Sequence, residues 1–139
     1  FATNWQLDRG KVKIAYRKSF FSVFLVMIIF FLVVFFGAKD GLSIWIDDSF
    51  SAESYMLAQI IALGIFFNGL AMVPFSLVQG IGRSNITAKF HLLELPVFIA
   101  LLVFGVQNYG LIGAAWAWTI RVMIDCVLLC TASYYLLRD

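Results

Sequence analysis

The chain has 139 residues, 63% of them hydrophobic and 17% aromatic, with 15 Phe and a mean hydropathy of +0.94. Only 13% are charged, half the share of about 25% found in an ordinary soluble domain, and a globule this small cannot bury that much apolar surface, so a soluble globular enzyme is excluded. Disorder needs low hydrophobicity and high net charge, and a net charge of +2 is too mild for a nucleic-acid surface; the natural solvent is a bilayer.

Residues 1–18 carry Arg9, Lys11, Lys13, Arg17 and Lys18 against Asp8 and read as a cytoplasmic basic segment. Residues 19–38 then run without a charge. A hydrocarbon core of about 30 Å takes roughly 20 apolar helical residues to cross, so a first span is expected over 19–37. The linker after it holds Lys39 against Asp40, Asp47, Asp48 and Glu53. A second span is expected over 55–79, inside the charge-free stretch 54–82. The next loop carries Arg83, Lys89 and His91 and no acid. A third span is expected over 90–106, with Glu94 and Pro96 inside it, and a fourth over 111–137. Between them lies Gln107-Asn108-Tyr109-Gly110, a polar, turn-favouring tetrapeptide. No period-two alternation interrupts these runs, so helices rather than barrel strands are indicated. The expected fold is an all-α membrane protein: a basic segment over 1–18 and a four-helix transmembrane part over 19–139.

Short loops rich in Lys and Arg stay in the cytoplasm. That rule puts the first segment, the 80–91 loop and the C-terminus inside, with 38–54 and 107–110 outside. The aromatic and basic end Tyr134-Tyr135-Leu136-Leu137-Arg138 suits an inner interface. The first residue is Phe1, and the first apolar stretch lacks the small-residue cleavage site of a signal peptide. The chain therefore reads as the C-terminal part of something longer.

Catalytic chemistry is thinly supported. His91 is the one histidine, so no Ser-His-Asp set can be assembled, and no GxxxxGK[ST] loop is present. Gly80-Ile81-Gly82-Arg83 alone is a weak signal. Cys126 and Cys130 sit four apart on one helical face, where a disulfide is geometrically implausible; they read as small apolar helix residues. Neither a catalytic role nor a metal or cofactor is expected.

Polar residues inside spans are expensive and tend to face a bundle interior or a cavity. Arg121 and Asp125 share one face of the fourth span, and Ala117, Ala114 and Gly110 continue it with small residues that allow close helix approach. Trp116, Ile120, Met123 and Val127 lie on the other side, toward lipid. Span two presents Gly64, Asn68, Met72, Phe75 and Gln79 within a narrow arc, with Pro74 nearby. Asn68 and Gln79 serve there either as interhelical hydrogen-bond donors or as substrate contacts. Pro74 and Pro96 are either hinges or fixed kinks. The midpoint of positions 94 and 121, at 107.5, falls in the 107–110 turn, with thirteen or fourteen residues or roughly 20 Å on each side, so Glu94 and Arg121 are expected at nearly equal depth, inside the membrane toward the cytoplasmic half. An intramembrane cluster of Glu94, Arg121 and Asp125 follows, with a net charge of −1 if all three ionise. It is either a static lock on the hairpin or part of a transport path. Arg121, Glu94, Asp125 and Asn68 are the candidate substrate-binding or coupling residues.

Several stretches together resemble the Wzx-type polysaccharide and O-antigen flippases. They are Leu57-Ala58-Gln59-Ile60-Ile61-Ala62-Leu63-Gly64, Asn68 through Pro74, Gln79-Gly80-Ile81-Gly82-Arg83-Ser84, and Ala88-Lys89-Phe90-His91-Leu92-Leu93-Glu94-Leu95-Pro96. Tyr109-Gly110-Leu111-Ile112-Gly113-Ala114-Ala115-Trp116-Ala117-Trp118, Arg121 and the earlier Leu42-Ser43-Ile44-Trp45-Ile46 continue the pattern. The resemblance covers most of residues 42 to 125, and its order and spacing are more specific than any single motif. That family belongs to the superfamily that also holds the MATE exporters and the lipid II flippases. The resemblance implies two six-helix bundles around a cavity that opens to alternate sides of a bacterial inner membrane, with this chain as the last four helices of the second bundle. It further implies transport of undecaprenyl-pyrophosphate-linked sugar units for polysaccharide biosynthesis, with Arg121 meeting phosphate and Glu94 and Asp125 coupling ions or holding Arg121. The implied partners are membrane lipid, the lipid-linked oligosaccharide and the N-terminal bundle of the same chain; nucleic acid is not among them. Two alternatives stay open: an ion-coupled small-molecule exporter of the same fold, and a small structural membrane subunit.

Overall fold

The structure, a computed structural model, describes residues 9–45 and 48–138, with side chains over 9–41 and 54–138. The side chains of 42–53, among them three acids of the first linker, lie outside the described residues. Three helices follow in order: α1 (Arg9–Trp45), α2 (Asp48–Gly80) and α3 (Ser84–Arg138). Each contains a stretch long and apolar enough to cross a membrane. At 1.5 Å per residue α1 is about 55 Å long and α2 about 50 Å, both well beyond a hydrocarbon core of about 30 Å.

The helices run past the spans that the charges delimit. Residues 9–18, read from sequence as a separate basic segment, are the opening turns of α1, and Lys39 and Asp40 are helical too. Charges mark where water begins. The backbone ladder is satisfied within the helix and continues through that boundary without cost.

Helix α2 ends where glycine lets it. Arg83 N–H donates to the Val78 carbonyl at 3.0 Å and Gly82 N–H to the Gln79 carbonyl at 3.0 Å, with Gly82 at φ 78°. This is the Schellman arrangement, in which a left-handed residue reverses the chain and satisfies the last carbonyls. Helix α3 starts two residues later, with the Thr87 hydroxyl donating to the Ser84 carbonyl at 2.8 Å.

Helix α3 has 55 residues, about 80 Å if straight, but it is broken at Gly110 (φ 58°, ψ −133°). No side chain favours that backbone conformation, and glycine tolerates it. The two arms, 84–109 and 111–138, fold back on each other. A Cβ on Gly105 would lie 2.6 Å from the Gly113 carbonyl oxygen, and one on Gly113 would meet the Gly105 carbonyl even closer. Only glycines permit this backbone-to-backbone approach. The break is also narrower than the tetrapeptide expected from sequence: Gln107, Asn108 and Tyr109 remain helical, and the Asn108 amide donates to the Phe104 carbonyl at 2.8 Å.

Helix α2 is the central element, with α1 packed along one side and α3 along the other. Phe66, Leu70 and Ala71 of α2 form a core with Cys126 and Leu129 of the second α3 arm, and Phe20, Val23, Met27 and Phe31 of α1 close over it. The Phe66 ring meets Phe24 edge-on at 5.9 Å and Phe31 at 5.9 Å, arrangements that aromatic quadrupoles favour. Buried hydroxyls tie the central helix to α3: Thr119 donates to the Ile60 carbonyl at 3.1 Å and Ser133 to the Pro74 carbonyl at 3.5 Å. Elsewhere Gln59 donates to the Phe35 carbonyl of α1 at 2.7 Å. Large apolar side chains such as Val26, Val33 and Phe36 on α1 and Leu92, Leu93 and Phe104 on α3 remain exposed, as suits surfaces that meet lipid tails.

Candidate functional site: an ionic cluster between α2 and the arms of α3

Folding α3 back at Gly110 brings Glu94 of the first arm opposite Arg121 of the second. Arg121 Nε lies 3.7 Å from Glu94 Oε2, which is the equal-depth juxtaposition read from sequence. Asp125, one turn beyond Arg121, joins through His91: the imidazole Nδ1 is 3.7 Å from Glu94 Oε2 and 3.7 Å from Asp125 Oδ1. The guanidinium also stands over the Phe98 ring, 5.6 Å from its centroid, a contact in which the ring face attracts the cation. Four ionisable side chains thus share one small volume.

Their burial is graded. Glu94 is 5% exposed and Asp125 14%, while Arg121 is 33% and His91 43% exposed. Both oxygens of Glu94 and Oδ1 of Asp125 are buried without a hydrogen-bond partner; the Arg121 guanidinium and the His91 imidazole, at 3.7 Å, are too far for hydrogen bonds. Two carboxylates face one permanent cation, Arg121. One oxygen from each acid and a nitrogen of His91 all lie within 4.8 Å of one another. That spacing has the reach of a cation site, with Arg121 competing for the same Glu94 oxygen.

Two cavities flank the cluster. On one side, a cavity of about 150 Å³ is lined by Asn68, Met72, His91, Arg121 and Asp125. On the other, an apolar cavity of about 210 Å³ between the arms is lined by Glu94, Phe98, Arg121 and Leu128. Arg121 stands between the two. All four residues singled out from sequence therefore converge: Glu94, Arg121 and Asp125 in direct proximity, and Asn68 across the first cavity. The stripe expected on α2 divides. Gly64 is packed tightly against Trp118 and Thr119, Asn68 and Met72 open onto the cavity, and the Gln79 amide is engaged with the Thr87 hydroxyl at 2.9 Å.

Sequence reasoning missed His91, which was counted as a loop cation. Its signal was the i, i+3 spacing to Glu94, which puts both on one helical face. The small stripe 110, 114, 117 also missed the tightest contact, Gly105 with Gly113. Cys126 and Cys130 are free thiols, and Cys126 sits in the apolar core.

A bundle of long apolar helices enclosing a charged cluster defines a multi-pass membrane protein. The MatE family model matches residues 7–105, most of the chain, and the chain belongs to the MatE family. It is 40% identical over 113 residues to the "Putative O-antigen transporter" of Shigella flexneri, an alignment covering 81% of this chain and 27% of that protein. The chain thus spans about a quarter of the length of that relative. No solved structure matches. Asn68, His91 and Glu94 lie within the family match, and Arg121 and Asp125 lie beyond it.

Proposed function

We propose that the chain is part of a flippase that moves lipid-linked oligosaccharide, as undecaprenyl-pyrophosphate-linked sugar units, across a bacterial inner membrane for polysaccharide biosynthesis. In this reading α1, α2 and the two arms of α3 are four crossings, the last four helices of the second six-helix bundle, with the C-terminus in the cytoplasm. A first bundle supplies the opposite wall of the cavity. Membership of the MatE family, the relative named for O-antigen transport and the segregation of cations between loops support it.

One observation carries it: Arg121 is held from behind by a buried carboxylate while its side chain reaches a cavity also lined by Asn68, His91 and Asp125. An arginine is always charged, and its planar fork matches phosphate oxygens. The Glu94 contact is made to Nε, which leaves the terminal guanidinium nitrogens for a pyrophosphate. Glu94 and Asp125, linked through His91, give the cluster a group that can take up and release one proton or cation as the cavity changes sides.

The test is complementation in cells lacking the transporter. The intact protein restores surface polysaccharide; Arg121→Gln does not, although it accumulates in the membrane, and lipid-linked oligosaccharide builds up at the cytoplasmic face. Full restoration by Arg121→Gln contradicts the reading.

A further inference from the structure

A further cavity, of about 560 Å³, opens between the start of α1 and the end of α3. That volume falls within the range of about 300–1,000 Å³ usual for ligand pockets. Helices α1 and α3 both pack on α2 and barely on each other, and the gap between them opens at this end.

The lining is ordered by polarity on both walls. Along α1, Lys13, Tyr16, Arg17 and Phe20 line it. They are spaced i, i+3, i+4, i+7, so they form one face of the helix, and that face passes from charge to aromatic as α1 enters its apolar stretch. Along α3 the order runs backward in sequence but the same way in space: Arg138 at the helix end, then Leu137 and Tyr134, then Cys130 deepest. The cavity therefore has a cationic rim, a tyrosine girdle and an apolar floor. No acid lines it, and among the described residues Lys13, Arg17 and Arg138 have no ion-pair partner. Arg121 differs on this point, because its charge is already met by Glu94.

A phosphate-bearing lipid has the complementary profile: an anionic headgroup, a glycerol zone at the depth of interfacial tyrosines and acyl chains beneath. Basic pockets between membrane helices on the cytoplasmic side suit anionic headgroups, and Tyr suits the interface because one end is apolar and the other wet. We infer that this cavity is a binding site for an anionic phospholipid of the cytoplasmic leaflet, whose phosphate sits among Lys13, Arg17 and Arg138 and whose chains lie over Phe20, Leu137 and Cys130. The inference is independent of what the protein transports.

The experiment measures lipid retention by the intact protein purified into nanodiscs of phosphatidylglycerol and phosphatidylcholine with identical chains. Wild type retains phosphatidylglycerol in preference. The triple variant Lys13→Gln, Arg17→Gln, Arg138→Gln weakens that preference by between about ten- and a hundredfold, since each cation near an anionic headgroup contributes roughly a factor of five. A charge-matched control, Lys18→Gln, Arg83→Gln, Lys89→Gln, removes three cations outside the cavity and leaves it unchanged. Equal loss in the control and the triple variant, or no preference in wild type, overturns the proposal. So does displacement of phosphatidylglycerol by an equal mole fraction of undecaprenyl pyrophosphate, which would assign the cavity to the carrier lipid. Transport by the triple variant, read in the same complementing cells, separates this outcome from failure of the flippase reading.

Discussion

A buried carboxylate with neither oxygen hydrogen-bonded is costly to keep in a low-dielectric interior, and Glu94 is such a group. What offsets the cost is a guanidinium and an imidazole at 3.7 Å. Removing one partner of a buried pair is worse than removing both, because it strands the other charge. Glu94→Leu should therefore lower stability by roughly 1–3 kcal/mol, below the roughly 3–5 kcal/mol of a fully buried pair because Arg121 is one-third exposed. The double variant Glu94→Leu, Arg121→Leu should regain most of that. Thermal unfolding in detergent checks both, and a double variant less stable than the single one would show that the pair does not act as a unit. Glu94 opposite Arg121 was legible in the sequence, since a hairpin puts residues equidistant from its turn at equal depth. The role of His91 was not, because a histidine between a charged loop and an apolar run reads equally as either.

At the scale of the element, the turn in α3 decides whether the cluster exists. Gly110 supplies the backbone reversal, and Gly105 with Gly113 lets the arms close. The tetrapeptide signal located the turn within a residue or two, but polar composition cannot say that a single φ carries it. Helix ends were less legible still: Arg9 to Lys18 and Lys39 to Asp40 are helical because charge reports the water boundary and leaves the helix limit unmarked. Gly113→Leu places a side chain against the Gly105 carbonyl, where only backbone could move aside. Overpacking of this kind costs about 1–3 kcal/mol, and here it also separates Glu94 from Arg121. A fall in melting temperature together with loss of transport is expected; an unchanged melting temperature would mean that the arms are not held together at that point.

Across the whole molecule, the proposed flippase requires four crossings with alternating loops. In a background of the intact protein freed of all native cysteines, Cys126 and Cys130 among them, single cysteines at Lys39 and Gln107 should react with an impermeant thiol reagent from outside the cell. Cysteines at Arg83 and Arg138 should react only after the membrane is opened. Labelling of the Gln107 site from the cytoplasmic side would collapse the last two crossings and place Arg121 and Glu94 outside the bilayer. Fold class was the most legible feature, since charge-free apolar runs bear on it directly. The cavity beside α1 was invisible in sequence because its walls come from opposite ends of the chain.

In the proposed flippase the Glu94–Arg121 pair serves transport rather than only locking a hairpin. The most direct measurement is the reversed pair, Glu94→Arg with Arg121→Glu, in the complementation assay. The reversal keeps the charge balance and the hairpin contact but moves the cation to the other arm of α3. The reversed variant should be present in the membrane at wild-type levels while surface polysaccharide falls by at least about tenfold, the equivalent of one lost charge-assisted contact to phosphate. Full restoration of surface polysaccharide by the reversed pair would contradict it and leave the cluster a structural lock.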